Sequence, residues 1–489
     1  MQAILNNHNP FSDQKNFMKF TLTILLSTLL TIATAQPVAR YFESIRNNEA
    51  ALTAFFSQMP KGGDLHHHYS GSIYAEPLLK RAIDENFYVN TTTMQVAKDK
   101  PAEGNWEQFS ALQNRGELAM YKEKIMRKWS VKDYNNVDYP SDKLFFESFD
   151  KLWPAAAGHF EQGLLELKNR AVKENLSYIE TQLTIIPSSI NTAGLIKYNV
   201  LLHEAEAAKN EQAIFAILDT LYNYLAQNNI AGDANNFNTN FVAKLHQSLK
   251  IDDARFTMRY QNFVLRFMEP VDLFKNFILA FISADNSPLI NGVNIVSPED
   301  GETSLKDYWL HMMMYKYCHA RYPNVKYAMH AGELTLGLVE PEELTWHIRA
   351  AVYTAKANRI GHGVDIAYED SCYETLRYMA ANKIAVEINL VSNEFILKVK
   401  ENRHPITLYK KFGVPIVIST DDAGILRTNM TEQFVLLAKR YAAFSYTDIK
   451  QLVYSSIQYS FIEDPALKQK LVKDLDDRFK TFESKFPLQ

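Results

Sequence analysis

The feature that most constrains the fold is an alternation of short apolar runs, typical of buried strands, with longer amphipathic runs, typical of helices. Neighbouring strands that are joined through helices run parallel, and eight such strands close into a barrel. The pattern therefore predicts an α/β fold, a (β/α)8 barrel with polar side chains gathered at the carboxyl ends of its strands. The eight predicted strands are residues 62–68, 176–183, 256–267, 289–296, 325–332, 358–363, 383–390 and 415–422.

Two stretches do not fit a minimal barrel. Residues 36–60 have a helical pattern ahead of the first strand, and we predict an N-terminal helical segment there. The polar stretch of about residues 85–140 is too long for a plain connection after the first strand. We predict that it is an inserted subdomain over the barrel mouth, within a barrel that spans residues 61–489.

Residues 1–35 are predicted to be a leader and signal peptide. An apolar run follows Lys19 and closes on Ala33-Thr34-Ala35, the small-x-small pattern of a signal-peptidase site. A membrane anchor is the alternative, but the run is shorter than the ~20 residues that a bilayer span requires. We therefore expect a secreted or periplasmic protein that is free of the membrane after signal removal. The helical segment that follows suggests a homodimer.

Charge and cysteine content restrict the partners and the source of stability. The 489 residues include 52 basic and 56 acidic ones, for a net charge of −4, so we expect no nucleic-acid partner. Only two cysteines are present. Cys318 and Cys372 fall in predicted helices, which favours free thiols over a disulfide bond.

Ionisable residues occur at the ends of several predicted strands. His66 and His68 are two residues apart, so on a strand both face the barrel axis, while His67 faces outward. Alone, a His-x-His pair is more often a surface or core pair than a metal site, and a carboxylate pair commonly caps a helix. The joint placement at one mouth favours a functional site. The other members are His330, Glu333, His362, Asp421 and Asp422.

Imidazoles with one carboxylate suit a borderline metal ion such as zinc. An ion of that kind lowers the pKa of a bound water to about 7, so water can attack at neutral pH. One remaining acid could protonate a nitrogen of the substrate, and one remaining base could orient the water.

Six motifs occur in an order that resembles the adenosine deaminase family. They are "MPKGGDLHHHYSG", "YIETQL", "HAGE", "RIGHG", "EINLVSNE" and "ISTDD", and they span about Met59 to Asp422. The chain is similar above all to the secreted adenosine deaminase-related growth factor branch, which has the same "MPKG" start, helical lead and insertion. The resemblance implies a barrel of the metal-dependent hydrolase type.

The resemblance also implies a reaction. It is the zinc-dependent hydrolytic deamination of adenosine, and of 2′-deoxyadenosine, to the inosine form with release of ammonia. The expected partner is a small-molecule purine nucleoside, and the expected cofactor is one Zn²⁺ per chain. The implied zinc ligands are His66, His68, His330 and Asp421.

Three further residues have catalytic roles by the same resemblance. Glu333 would donate a proton to N1 of the purine, which requires a pocket that raises its pKa. His362 would orient the attacking water and help to move its proton. Asp422 would hold the N7 side of the purine and the attacking water.

The expected substrate pocket departs from the family at Ser297, and also just after His68, where Tyr69 and Ser70 replace the acidic residue that usually meets the ribose hydroxyls. A glycine after the fourth barrel strand usually offers its backbone N–H to the purine N3, and Ser297 stands there in this chain. Phe146, Phe149 and Trp153 follow one another at helical spacing and resemble the family's cover over the nucleoside. A stripe of this kind is equally often part of a core.

Two alternatives remain at the level of sequence. One is a related purine amidohydrolase that acts on adenine, AMP or an N6-substituted adenine nucleoside. The other is an extracellular nucleoside-binding or signalling protein that has lost catalysis. The second alternative predicts a broken ligand set, whereas all the implied ligands are present in this chain.

Overall fold

The structure is a computed structural model that describes residues 37–135, 137 and 139–486. The predicted leader and signal peptide, residues 1–35, lie outside the described residues. The described strands are β1 (Gly62–His68), β2 (Tyr88–Asn90), β3 (Val96–Ala97), β4 (Trp106–Gln108), β5 (Leu176–Gln182), β6 (Thr257–Leu265), β7 (Ile290–Val296), β8 (Ala328–Ala331), β9 (Arg359–His362), β10 (Ala385–Ile388) and β11 (Ile416–Ile418).

Eight of these strands form the barrel. Two parallel sheets have the orders β1-β5-β6-β7 and β11-β10-β9-β8. Parallel bridges between His67 and Asp421 and between Val293 and Tyr327 join the two sheets at both edges. Each predicted strand contains one of the eight barrel strands, and the (β/α)8 fold is confirmed.

Helices connect the strands and form the outer layer. The helix Pro270–Asp285 illustrates the local causes, since a proline and an acidic residue occupy its first turn. The described α-helices are Pro37–Ile45, Glu49–Gln58, Tyr69–Ser72, Ala75–Asp84, Phe109–Asn114, Leu118–Trp129, Ser141–Ala156, Phe160–Lys173, Lys197–Ala207, Glu211–Gln227, Ile230–Asn236, Lys244–Ser248, Pro270–Asp285, Glu302–Lys306, Tyr308–Arg321, His347–Tyr353, Cys372–Ala381, Leu390–Leu397, Ile406–Phe412, Met430–Arg440, Tyr446–Gln458 and Pro465–Glu483.

The interior of the barrel contains a buried ion network as well as apolar side chains. The guanidinium of Arg359 contacts Glu180 at 2.6 Å and Glu387 at 2.5 Å, and all three side chains are buried. Buried charges are tolerated when they are paired and hydrogen-bonded. This network lies on β5, β9 and β10, directly behind the residues at the barrel mouth.

The segments outside the barrel are compact additions to it. Two helices, Pro37–Ile45 and Glu49–Gln58, precede β1. Between β1 and β5, strands β2, β3 and β4 form a small antiparallel sheet. The Val131 N–H, which follows this insertion's helices, donates to the Ile425 carbonyl at 2.9 Å, so the insertion borders the loop after β11.

Two further observations concern cysteines and membranes. Cys318 and Cys372 are both free thiols, as predicted. None of the helices in the described part of the chain combines the length and apolar character needed to cross a bilayer.

Candidate active site

The pairing of β1 with the chain after β11 assembles the first part of the site. The Asp421 N–H donates to the His66 carbonyl at 2.9 Å, which fixes the two segments side by side. Asp421 Oδ1 is therefore 3.5 Å from His66 Nε2 and 3.3 Å from His68 Nε2. The two Nε2 atoms are 3.3 Å apart.

These separations fit a tetrahedral metal ion. Donors at about 2.0 to 2.2 Å from such an ion stand about 3.3 to 3.6 Å from one another. The three measured distances lie between 3.3 and 3.5 Å. The donor set of His66, His68 and Asp421 is thus arranged to hold a metal ion, and imidazole with carboxylate suits zinc.

Two more histidines border this group. The ring of His330 is 4.4 Å from the ring of His66 between centroids, and the ring of His362 is 4.8 Å from it. His66, His330 and His362 each offer a ring nitrogen within 4.8 Å of the others. Either histidine could complete the set, so the hydrogen bonds of their rings distinguish them.

Buried partners orient the rings of His66 and His330. Glu387 accepts from His66 Nδ1 at 2.7 Å, and Asn294 Oδ1 accepts from His330 Nδ1 at 2.9 Å. Each bond engages Nδ1 and leaves Nε2 free for a metal ion. Hydrogen-bond partners behind histidine ligands commonly orient the rings in this way. Arg359 in turn holds Glu387, and its attraction outweighs burial and keeps the pKa of Glu387 below its usual range.

His362 has a different environment, which assigns its proton. The Ile406 N–H donates to His404 Nδ1 at 3.2 Å, so neutral His404 carries its proton on Nε2 and donates to Asn393 Oδ1 at 3.0 Å. The Asn393 amide therefore presents N–H to His362 Nδ1 at 2.9 Å. His362 is left with its proton on Nε2, which lies 3.8 Å from Asp421 Oδ2.

Burial lowers the pKa of both histidines in this chain of hydrogen bonds. The pKa falls to about 3 for His362 and for His404. Both rings are therefore neutral near pH 7, as the tautomer assignment requires. Neutral His362 offers one N–H donor to the space beside Asp421.

Glu333 places a buried carboxyl group at the mouth. Burial, with the nearby Asp421 and Glu299 carboxylates, raises the pKa of Glu333 well above its usual range. Glu299 also holds the backbone at this position, because its carboxylate accepts from Gly332 N at 3.1 Å and from Glu333 N at 2.9 Å. The Glu333 carboxyl is thus positioned by backbone bonds, and its raised pKa favours the protonated form.

Asp422 lies beside the metal-type donors with one free oxygen. Its side chain is 2% exposed, and within the described ranges Oδ1 has no hydrogen-bond partner. Gly71 makes room for it, since a Cβ on Gly71 would lie 1.6 Å from Asp422 Oδ1. Burial and the adjacent Asp421 raise the pKa of Asp422.

Several residues of the site have strained backbone. The φ angles are +66° at His362, +62° at Asp421 and +90° at Ser297, in the left-handed region that favours glycine. Such conformations cost about 1 to 3 kcal/mol each and cluster at functional sites. At Ser297 the strain coincides with the position where the resemblance places a glycine.

The predicted substrate-pocket residues fall into two groups. Phe146 and Phe149 are half-buried, and their ring centroids lie 5.0 and 5.6 Å from that of Phe145. Their helix, Ser141–Ala156, packs against the segments that follow β1 and β10 and so lies near the mouth. Trp153 is 39% exposed, so the structure does not bring it into the same packed cover.

Some residues of the site were missed by sequence reasoning, and one histidine was excluded correctly. His67 points outward, where its Nδ1 is 3.0 Å from Thr181 Oγ1. The missed positioning residues are Glu299, Asn294, Glu387, Asn393 and His404. Glu387 and Asn393 stand inside the quoted motif "EINLVSNE", which was the available signal.

A cavity of about 590 Å³ lies elsewhere, at the amino-terminal ends of β8, β9 and β10. Its lining includes Lys326, Lys356, Lys383 and Lys468 but none of the residues at the mouth. In a parallel barrel the reactive groups stand at the carboxyl ends of the strands. We therefore keep the candidate site at the mouth.

Comparison with known proteins agrees with this geometry. Residues 256–478 match the adenosine deaminase family. An adenosine deaminase from Clostridium kluyveri is 26% identical over 415 residues, which cover 84% of this chain and 92% of that protein. These matches show that this chain is similar in sequence to adenosine deaminases.

Solved structures share the fold. The N6-mAMP deaminase of Arabidopsis aligns with a TM-score of 0.55 at 18% identity and covers 87% of this chain and 99% of that chain. An amidohydrolase from Burkholderia ambifaria with bound zinc aligns with a TM-score of 0.51 at 17% identity, over 89% of this chain and 95% of that chain. At these identities the likeness concerns the barrel alone.

Proposed function

We propose that this chain, whose sequence matches support membership of the adenosine deaminase family, is a zinc-dependent hydrolase that removes the 6-amino group of adenosine and 2′-deoxyadenosine. The observation that carries the proposal is the cluster of His66, His68 and Asp421, with donor separations of 3.3 to 3.5 Å, beside a buried Glu333 whose pKa is raised. A site with these groups can activate water and protonate a ring nitrogen at once.

In this proposal His66, His68, His330 and Asp421 hold one zinc ion. His330 is preferred over His362 as the fourth ligand because Asn294 leaves its Nε2 free, whereas Nε2 of His362 carries a proton. When bound, the zinc ion makes water a competent nucleophile near neutral pH. The donor set fits that ion, as imidazole with a single carboxylate is a common catalytic combination.

The chain's own residues do the remaining work. Glu333 gives its proton to N1 of the purine, which makes C6 more electrophilic. The N–H on Nε2 of His362 donates a hydrogen bond to the oxygen of the attacking water and orients it. Asp422, whose Oδ1 has no hydrogen-bond partner in the described part of the chain, is the proposed contact for the N7 side of the base and for the same water.

Water exclusion strengthens these interactions. The side chains of His330, Glu333 and Asp422 are 5%, 8% and 2% exposed. Hydrogen bonds and charges act more strongly in such a site than in bulk water. The helix Ser141–Ala156, with Phe146 and Phe149, is the proposed cover, and the Ser297 backbone N–H is the proposed donor to the purine N3.

A substrate panel tests the proposal. Zinc-loaded protein is incubated with adenosine, 2′-deoxyadenosine, adenine, AMP and N6-methyl-AMP, and loss of the 6-amino group is followed by ultraviolet absorbance. We expect the two nucleosides to be deaminated fastest. Faster turnover of AMP or adenine would contradict the assignment of nucleosides as substrates. No turnover of any compound by zinc-loaded protein would refute the proposal that this chain is a deaminase.

A variant tests the role of the acid. Glu333→Gln keeps the size of the side chain and the backbone bonds to Glu299 but has no acidic proton. We expect a loss of about 10² to 10⁴ in kcat, the usual contribution of a general acid, with one zinc ion retained by elemental analysis. Loss of the metal would contradict the assignment of Glu333 as acid.

Export, branch and assembly are further proposals. We propose that residues 18–35 are removed as a signal, that the mature chain begins near Gln36, and that the chain belongs to the secreted growth factor branch. N-terminal sequencing of protein recovered from outside the cell tests the first two. We also propose a homodimer, which light scattering of the purified protein tests.

A further inference from the structure

A second group of metal-type side chains lies outside the ring of strands, between two helices. His203 and Glu206 are three residues apart on the helix Lys197–Ala207 and share one face of it. Asp307 precedes the helix Tyr308–Arg321. One ligand atom from each of the three residues lies within 4.8 Å of the others, and His203 Nε2 is 3.1 Å from Asp307 Oδ2.

The two carboxylates of this group are withdrawn from water. Asp307 is 1% exposed and Glu206 is 6% exposed. In the described part of the chain, Asp307 Oδ1 has no hydrogen-bond partner. The His203 side chain is 27% exposed, so solvent reaches the group from that side. A buried, unsatisfied carboxylate oxygen is costly unless something binds to it.

Local positive charge compensates this group only in part. The Lys306 ammonium is 3.9 Å from Asp307 Oδ1, but its side chain is 60% exposed. Lys209 lies over the Trp309 ring. Two adjacent buried carboxylates repel each other, and a bound cation would relieve that repulsion.

We propose that His203, Glu206 and Asp307 bind a divalent transition-metal cation, such as Mn²⁺ or Zn²⁺, at a site separate from the barrel mouth. An imidazole combined with two carboxylates suits these ions better than Mg²⁺ or Ca²⁺. Ligand bonds of about 2.0 to 2.2 Å put adjacent donors about 2.8 to 3.6 Å apart. The separation of 3.1 Å between His203 Nε2 and Asp307 Oδ2, which is a hydrogen bond in the absence of a cation, lies within that interval.

A purely structural role is the competing explanation. Glu206 Oε1 accepts from the Leu310 N–H at 2.8 Å and so satisfies the start of the helix Tyr308–Arg321. That bond uses one oxygen of the carboxylate, and the proposal assigns the other oxygen to the cation. Because the three ligands meet only in the folded chain, a bound cation must also stabilise the fold.

The test uses the full chain, zinc-loaded at the barrel mouth, with Mn²⁺ as the probe. Binding is followed by electron paramagnetic resonance and by elemental analysis after gel filtration. Glu206→Gln keeps an oxygen for the Leu310 N–H but removes the anionic ligand. Glu204→Gln, at an exposed position on the same helix, removes the same charge without touching the group.

We expect one Mn²⁺ per chain in the wild type and in Glu204→Gln. Glu206→Gln should weaken binding by about tenfold or more, while Glu204→Gln should change it less than about twofold. Asp307→Asn, which preserves size and shape, should repeat the loss if Glu206→Gln folds poorly. Mn²⁺ should also raise the unfolding temperature of the wild type but not of Asp307→Asn.

Two results would overturn the proposal. One is the absence of a second cation in the wild type, and the other is equal Mn²⁺ affinity in Glu204→Gln and Glu206→Gln. His66→Ala separates this site from the barrel mouth, since it should lose the mouth's metal ion and keep the second cation. The test of cation binding at this second site is therefore independent of whether the protein has deaminase activity.

Discussion

Glu387 is expected to set the metal affinity of the site although it does not face the mouth. Its carboxylate is buried between His66 Nδ1 at 2.7 Å and Arg359 Nε at 2.5 Å. In Glu387→Gln one carboxylate oxygen becomes an NH₂ group. Either His66 or Arg359 then faces a donor in place of an acceptor, so the His66 ring is held less firmly and is a weaker base.

The structure bounds the size of this effect. Losing an outer carboxylate partner of a histidine ligand weakens metal binding about 10- to 100-fold, which corresponds to about 1.4 to 2.7 kcal/mol. Arg359 keeps its contact with Glu180 at 2.6 Å, so it is not left as an unpaired charge. The stability cost is then that of one unsatisfied buried donor, about 1 to 3 kcal/mol.

Competition with a chelator of known affinity measures the zinc dissociation constant of wild type and variant, and kcat is then determined at saturating zinc. Glu299→Gln is the matched control. Glu299 is an equally buried carboxylate, but it accepts from the backbone N–H groups of Gly332 and Glu333 and not from a proposed zinc ligand. We expect Glu387→Gln to lose zinc affinity and Glu299→Gln to lose kcat alone. Unchanged zinc affinity in Glu387→Gln, or an equal loss in both variants, would refute the reasoning.

Three further predictions follow from the same geometry. In the proposed mechanism the acid form of Glu333 is the active one. Its raised pKa means that this form persists above the usual titration range of Glu and is lost as pH rises through the raised pKa, so kcat/KM should decline on the alkaline side; a decline that begins near pH ~4.3, the ordinary pKa of Glu, would contradict it. Asn393→Asp replaces the N–H donor to His362 Nδ1 with an acceptor, which should raise the pKa of His362 and move its proton to Nδ1. The ¹⁵N chemical shifts of the ring should report the new tautomer, and kcat/KM should gain an acid limb. Ser297→Gly relieves the strain of a non-glycine residue at φ +90° and should raise the free energy of unfolding, measured by urea titration, by about 1 kcal/mol. An unchanged free energy of unfolding would mean that the serine side chain stabilises the fold by as much as the strain costs.

The barrel was predictable because its signals are local. Each strand is a short apolar run, and the alternation with helices dictates parallel pairing. The division of the three consecutive histidines was predictable for the same reason, since side chains alternate across a strand whatever lies beside it. The small sheet β2-β3-β4 inside the insertion has strands of two or three residues, and such short segments leave no clear periodic pattern.

The composition of the site was partly predictable, and its arrangement was not. Histidines and carboxylates at strand ends indicated a common mouth, but the pairing of Glu387 with His66 joins residues 321 positions apart in the chain. The tautomer of His362 depends on His404, through a chain of bonds that begins at a backbone N–H. Trp153 followed the same helical stripe as Phe149 but is exposed, because position on a helix does not say what the helix packs against.

The sequence by itself therefore determined the (β/α)8 barrel, the outward orientation of His67 and the types of ligand available at the mouth. Tertiary structure decided which donors meet, through the register that bridges His67 to Asp421 and closes the barrel. It also decided which groups are charged, since burial and neighbouring carboxylates raise the pKa of Glu333. The physical reason is that strand propensity and side-chain alternation act over a few residues, whereas register, desolvation and the partners of a buried polar atom depend on chain segments that meet only in the folded protein.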